Sequence, residues 1–251
     1  MTPSPAGEGF KTCADTYAVR VSFPNKYRLH FSILVSISMY KFLLWAFLLA
    51  YSHPSNADSI KISNFSNNSL ADWQVKSFSG ATQYQVVHLN NRKVLKAYSL
   101  ASASSLYKEV HIDLHQTPYL NWSWQVDKKL NIKNERTKQG DDFSARIYLI
   151  VKGEWFFWQT KSLNYVWSSH NAKLTAWPNP YAAKNVMMLA IRDSTDKEKH
   201  WYTEKRHALN DLKQYFGKDI RYIDAIAIMT DTDNSKEAAL SYYDNLYFSE
   251  Q

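Results

Sequence analysis

An all-β fold, an antiparallel two-sheet sandwich with one short helix, is what this sequence predicts, and three observations predict it. Short stretches whose apolar residues recur every second position follow one another along the chain, separated by turn residues. Only one stretch carries helical spacing. No alternation of strand and helix marks a parallel βαβ sheet.

In chain order, Val94 to Tyr98 and Val110 to Leu114 are the first of these stretches. In Leu120 to Val126, Leu120, Trp122, Trp124 and Val126 share one face, while Asn121, Ser123 and Gln125 take the other. Phe143 to Val151, Trp155 to Lys161, Val186 to Ile191, Ile223 to Met229 and Tyr242 to Phe248 read as strands too. Ile147 to Val151 and Val186 to Ile191 are apolar on both faces, which predicts central positions in a sheet. Leu209, Leu212, Tyr215 and Phe216 recur at helical spacing, predicting a helix over Ala208 to Phe216 that Gly217 ends. The polar stretch Asp127 to Asp142 is expected to be a mobile loop between strands.

Residues 1–57 read as a segment removed before folding. Met39-Tyr40-Lys41 is a short basic start, Phe42 to Tyr51 an apolar core, and Ser55 and Ala57 flank the cut expected after Ala57. That core is shorter than the roughly 20 apolar residues a bilayer span needs, so no stable membrane span is expected after cleavage. Met39 is the expected start, and residues 1–38 an upstream extension. The remaining 58–251 form one domain of 194 residues, long enough for a sizeable core. Five of the 30 basic residues (Lys11, Arg20, Lys26, Arg28, Lys41) and two of the 23 acidic ones (Glu8, Asp15) fall in the leader, leaving a net charge of +4. Bases and acids are interspersed, as in Asp196-Lys197-Glu198-Lys199, which argues against a nucleic-acid partner. The only cysteine, Cys13, leaves with the leader, so the domain has no disulfide and no thiol nucleophile. A periplasmic or secreted bacterial location is expected.

Asp141 to Tyr148, Leu163 to Trp167, Glu204 to Gly217, and Ile228 to Asn234 with Tyr242-Tyr243-Asp244 carry a resemblance. In that order they resemble the motifs of the DUF3047 family of bacterial, mostly exported proteins, over roughly Phe65 to Phe248. The family implies no catalytic residues. The closing strand Tyr242 to Phe248 is similar to the last strand of galactose-binding-like jelly rolls, which implies a jelly-roll sandwich and, for many such domains, carbohydrate binding.

Eight tryptophans outside the leader are the strongest compositional clue to a ligand, because flat rings stack on the C–H faces of sugars while amides, carboxylates and arginines bond the hydroxyls. In Trp155-Phe156-Phe157-Trp158 alternate rings must face opposite ways, so one pair points away from the core. Trp155, Trp158, Asn164, Tyr165 and Trp167 are therefore the platform candidates, and Trp122 and Trp124 are core. Arg146 and Arg206 sit beside apolar segments, suited to an ion pair or to an anion. Asp231, Asp233 and Asn234 lie in an Asx-rich turn that offers oxygens to Ca²⁺, although the third acid, glycine and distal glutamate of an EF-hand are missing. His111, Asp113 and His115 share one face of a continuous strand, as a Zn²⁺ site requires. Neither a Gly-x-Ser-x-Gly elbow nor a His-Glu-x-x-His helix is present. Asp141, Asp142, Glu154, Asp231, Asp233 and Asp244 remain as acids from which a hydrolytic pair could come.

These residues favour an exported, non-catalytic binding domain for a glycan or other envelope component, with no cofactor unless calcium. A glycan-active hydrolase or lyase using paired carboxylates is one alternative. A structural or assembly protein that binds a partner protein is the other.

Overall fold

The computed structural model describes residues 59–63, 65, 69–153, 159–217 and 220–251. The leader expected over 1–57, Glu154, and the ring candidates Trp155 and Trp158 lie outside the described residues. Thirteen strands follow in order: β1 (Ser59–Lys61), β2 (Gln74–Ser79), β3 (Gln83–Leu89), β4 (Arg92–Leu100), β5 (Ala103–Asp113), β6 (Tyr119–Val126), β7 (Arg146–Val151), β8 (Lys161–Trp167), β9 (Ala176–Pro178), β10 (Val186–Arg192), β11 (Tyr202–His207), β12 (Tyr222–Met229) and β13 (Ala238–Ser249). Among the described residues one α-helix, Ala208–Phe216, separates β11 from β12. Among the described residues no helix is long and apolar enough to cross a membrane.

The strands form a two-sheet jelly-roll sandwich. One sheet runs β11-β6-β13-β4-β3, with the short β1 also on β13. The other runs β2-β5-β12-β7-β8-β10-β9. Every pairing is antiparallel except β8 with β10, because the loop after β8 carries the chain around so that β10 starts again from the same end. The two strands that are apolar on both faces occupy interior positions as expected, β7 in the middle of its sheet and β10 under β9.

Inward residues alternate with outward ones, and the core lies between the sheets. Trp122 stacks on Tyr165 at 5.2 Å and stands edge-on to Trp124 at 5.4 Å, and Trp124 packs 5.9 Å from Trp167. All four are at most 1 % exposed. Burial of such rings supplies most of the driving force in a chain without a disulfide. The core polar atoms reach β11. Trp124 Nε1 donates to Glu204 at 3.0 Å, and Glu204 accepts two bonds from Arg192 on β10, at 2.6 and 3.0 Å. Tyr165 OH donates to Asp211 on the helix at 2.9 Å, and Arg206 closes on the same carboxylate at 2.6 and 3.0 Å.

The helix has the expected bounds. His207 Nδ1 accepts from Asn210 N at 3.2 Å at its start, and Gly217 ends it in the left-handed region at φ 64°. The stretch Asp127 to Asp142 is packed rather than loose. Leu130 and Ile132 bury against Ala239, and the fully buried Glu135 accepts from Ser168 Oγ, Ser169 N and Asn171 Nδ2. A Cβ at Gly140 would meet the Asn134 carbonyl oxygen at 2.1 Å, so the turn there has room only for glycine.

Trp122→Ala removes the ring that contacts both Trp124 and Tyr165. We expect it to lower the unfolding free energy by about 3–5 kcal/mol in chemical denaturation; a loss below 1 kcal/mol would contradict this account of the core.

Candidate functional site

Two outward faces could meet a ligand, and their chemistry differs. On the seven-stranded sheet, Ala145, Ile147 and Leu149 point into the main core, so Arg146 points out. There it meets a second apolar layer of Phe143, Val166, Trp177, Met188 and Ala190. Arg146 is only 3 % exposed. Its Nη2 donates to Asp231 Oδ2 at 2.8 Å and to the Asp141 carbonyl at 3.1 Å, and its Nη1 donates to Tyr148 OH at 2.8 Å. The guanidinium lies 4.4 Å from the Phe143 ring centre.

The surrounding acids are held by their own donors. Asp231 exchanges bonds with Phe143, giving N–H to its carbonyl at 3.2 Å and accepting its N–H at 3.3 Å. Asp141 Oδ2 accepts from Asn179 at 2.9 Å, and its Oδ1 lies 3.7 Å from Arg146. Asp142 accepts from Asn234 N at 3.2 Å, Asn234 Nδ2 at 3.0 Å and Ser235 N. Burial pushes Asp231 well above the usual carboxylate range, against the pull of Arg146 and with the help of Asp141 and Asp142. Burial opposes charge on Arg146 as well, but Asp231, Tyr148 and Asp141 outweigh it and hold the guanidinium above its ordinary value. This cluster is a clasp that ties the loop before β7 to the loop after β12.

The structure rearranges several expected sites. Tyr165 and Trp167 are core residues and Asn164 is fully buried, its carbonyl oxygen accepting from Ser162 at 2.8 Å and its amide facing Met188 sulfur at 3.2 Å. These three cannot form a surface platform, because β8 lies inside the sheet with both faces covered. Arg206 is committed to Asp211. For calcium, Asp231 and Asp233 come together with Asp142, their ligand oxygens within 4.8 Å of one another. Asn234 does not join them, since its Nδ2 donates to Asp142 and its Oδ1 accepts from Tyr181 OH at 3.3 Å. The expected zinc triad is not assembled. β5 ends at Asp113, whose carboxylate caps the His115 N–H at 3.0 Å and pairs with Arg221 at 2.7 Å, while His111 stacks on Tyr222. Among the described residues, Asp142, Asp231 and Asp233 are the one group with metal-ligand spacing.

The outer face of the six-stranded sheet is different. With Trp122, Trp124 and Tyr243 turned inward, Asn121, Ser123 and Gln125 of β6 point out, beside Tyr242, Asp244 and Tyr247 of β13 and Val94, Lys96 and Tyr98 of β4. The registers set Gln125 beside Tyr242 and Tyr242 beside Lys96, and set Ser123 beside Asp244. Gln125 makes no side-chain hydrogen bond among the described residues, although it is 7 % exposed. Arg92, from β4, lies 4.7 Å from the Trp201 ring centre. Trp201 immediately precedes β11, and β13 and β6 separate β11 from β4, so the two side chains reach toward each other over this face. Trp201 Nε1 is buried without a hydrogen-bond partner. Burial raises Asp244 above the usual carboxylate range, against the Asn245 N–H and the field of Arg92.

Of these residues, sequence reasoning singled out Asp244. It also placed Asn121, Ser123 and Gln125 on one face of their strand. Arg92, Lys96, Trp201 and Tyr242 were missed as site residues, because their neighbourhood exists only through pairings between strands distant in sequence. For the clasp, the acids and Arg146 were identified, whereas Phe143, Tyr148 and Asn179 carried no separate signal.

Arg146→Leu leaves Asp231 buried without its cation, and we expect a stability loss of about 3–5 kcal/mol. Removing both charges in Arg146→Leu with Asp231→Leu should recover part of that loss, measured by urea denaturation. Asp233 is raised by burial and then by Asp142, so the folded state holds its proton more tightly than the unfolded chain does. Its charge therefore destabilises the fold above its folded pKa and not at pH values below the unfolded one. Asp233→Asn should stabilise by a few tenths of a kcal/mol at pH 7 after solvent screening. That gain should vanish by about pH 3; thermal melts at both pH values check it.

No curated protein matches the chain. Several solved structures are similar in fold. The family 11 carbohydrate-binding module from Clostridium thermocellum in complex with a β-1,3-1,4-mixed-linked tetrasaccharide shares 9% identity, with 77% of this chain and 96% of that chain covered and a TM-score of 0.41. The xyloglucanase domain of NopAA, a type three effector from Sinorhizobium fredii, in complex with cellobiose, shares 9% identity over 79% of this chain and 100% of that chain, with a TM-score of 0.43. A cellulase derived from Cel12A of Rhodothermus marinus shares 10% identity over 78% and 97%, with a TM-score of 0.43. The sequence profile of the family described as protein of unknown function (DUF3047) matches residues 71–247, and this chain belongs to that family.

Proposed function

We propose that this protein is an exported, non-catalytic domain that binds a glycan or a similarly hydroxyl-rich envelope component on the outer face of its six-stranded sheet. One observation carries the reading. Half-buried rings, Tyr98, Tyr119, Trp201, Tyr242 and Tyr247, stand among outward-pointing Asn121, Ser123, Gln125 and Asp244. A merely solvated face has little use for aromatic rings, and a core face has little use for amides. Rings that pack on sugar C–H faces, with the half-buried Asp244 between them to bond a hydroxyl, account for the rings and the carboxylate together. The Gln125 amide, which makes no side-chain hydrogen bond among the described residues, is a donor at the floor of this face.

Three of the acids that could have formed a hydrolytic pair are closed off. A glycosidase needs two acids flanking a substrate, roughly 5–10 Å apart. Asp141, Asp142 and Asp231 are each at most 7 % exposed and engaged by N–H donors or Arg146, so a sugar has no route between them. Export rests on the leader pattern of Met39 to Ala57.

Glycan-array binding followed by calorimetry on the best ligand tests this reading. Tyr242→Ala with Tyr247→Ala should weaken binding at least about tenfold, or 1.4 kcal/mol, while the melting temperature changes little because both rings lie outside the core. Tyr222→Ala, on the other sheet, should bind as the parent does. Failure to bind any glycan, or undiminished binding by the double variant, would sink the proposal.

A further inference from the structure

The charges on the same outer face suggest which glycans it would take, an inference that rests on the glycan-binding reading. Arg92 opens β4 directly after a two-residue hairpin in which Asn90 and Asn91 both adopt positive φ, 48° and 63°. That tight turn fixes where the arginine emerges. Its guanidinium is then held by the face of Trp201, a contact that uses the π system and leaves the N–H fork available. Among the described residues Arg92 makes no hydrogen bond and no ion pair. Lys96 also has no ion pair there, and Lys205 sits 4.6 Å above the Tyr119 ring without one.

Most other arginines of the domain are treated differently. Arg146, Arg192, Arg206 and Arg221 each close on a carboxylate at 2.6–2.8 Å. Arg92 is therefore set apart from those four arginines, whereas lysines over rings without an ion pair among the described residues, such as Lys76 over Phe78 and Lys161 over Phe216, occur elsewhere on the domain too. Two acids lie nearby. Asp244 is half-buried and raised above the usual carboxylate range by that burial, against the Asn245 N–H and the field of Arg92, with which it makes no ion pair among the described residues. Asp127 is near enough to Tyr242 to raise the phenol, but it sits beyond Val126, at the end of the face away from Arg92.

We propose that the face selects an acidic glycan, one whose sugar carboxylate is bonded by the Arg92 fork with Lys96 or Lys205 in support, while the neighbouring rings take the sugar faces. A guanidinium presents paired N–H groups that match a carboxylate in a way that a hydroxyl does not. Holding the guanidinium beforehand on Trp201 lowers the ordering cost of that contact. Charge complementarity of this kind contributes mainly to discrimination between ligands.

Calorimetry with the full chain, using oligogalacturonate and its carboxyl-reduced neutral counterpart, tests this. We expect the uronate chain to bind at least tenfold more tightly at low salt, with the preference shrinking as ionic strength rises. Arg92→Gln should abolish the preference while leaving the melting temperature unchanged. Lys96→Gln, which removes charge without touching Trp201, should reduce the preference in part. Equal binding of both chains, or a preference that survives Arg92→Gln, overturns the inference while glycan binding stands. Binding to neither of these chains nor to any glycan on the array overturns both.

Discussion

The rest of the fold depends on how β11 closes the sandwich. Its inward side chains are Tyr202, Glu204 and Arg206, two of them charged groups directed toward a core of Trp122, Trp124, Tyr165 and Trp167. Buried charge is tolerable only when paired and hydrogen-bonded, and here each carboxylate also satisfies an aromatic polar atom. Glu204 accepts the Trp124 N–H and binds Arg192 across the gap to β10, while Asp211 accepts the Tyr165 hydroxyl and binds Arg206. The rings and the ion pairs thus fix one another, and both sheets are tied along a single edge. The match is incomplete, since the indole nitrogens of Trp122 and Trp167 are buried without hydrogen-bond partners.

The same construction decides which surfaces remain available. On the seven-stranded sheet the loop before β7 and the β9 segment cover the outward side chains, and Arg146 with Asp231 clasps the loop before β7 to the loop after β12. A positively charged group at the edge of an apolar layer, with buried acids on several sides, favours one loop arrangement strongly and leaves little room for chemistry. The six-stranded sheet has no comparable second apolar layer among the described residues. Its outward rings, Tyr98, Tyr242 and Tyr247, stay half-buried above the buried Asn121 and Gln125, so the tyrosine-bearing face is more open than the acid-rich loop.

Much of the architecture was readable in advance, for reasons that differ by element. The helix Ala208–Phe216 was defined to the residue, because its stop signal and its apolar spacing are local. β6, β7, β10, β12 and β13 were visible from their period of two. β11 was not, since Tyr202-Thr203-Glu204-Lys205-Arg206-His207 has charged residues where alternation would place apolar ones. β2 was missed because all six of its residues are exposed at a sheet edge. The site was harder. Tyr165 and Trp167 looked like a platform and are core, and His115 fell beyond the end of the strand that its spacing with His111 assumed.

By itself the sequence determined the class of fold, the family, the helix, and the acids and arginine of the clasp, because these depend on periodicity, capping and motif order within short stretches. Tertiary structure alone decided that the Asp141–Asp231 cluster is closed, that Arg206 is an ion-pair residue, and that Arg92 and Trp201 meet over Gln125 and Asp244. The first and last depend on strand order and register, which bring together residues about 90 to 110 positions apart, while Arg206 finds Asp211 only five residues on, where β11 runs into the helix. Periodicity assigns each side chain to a face but says nothing about which strand lies next to it.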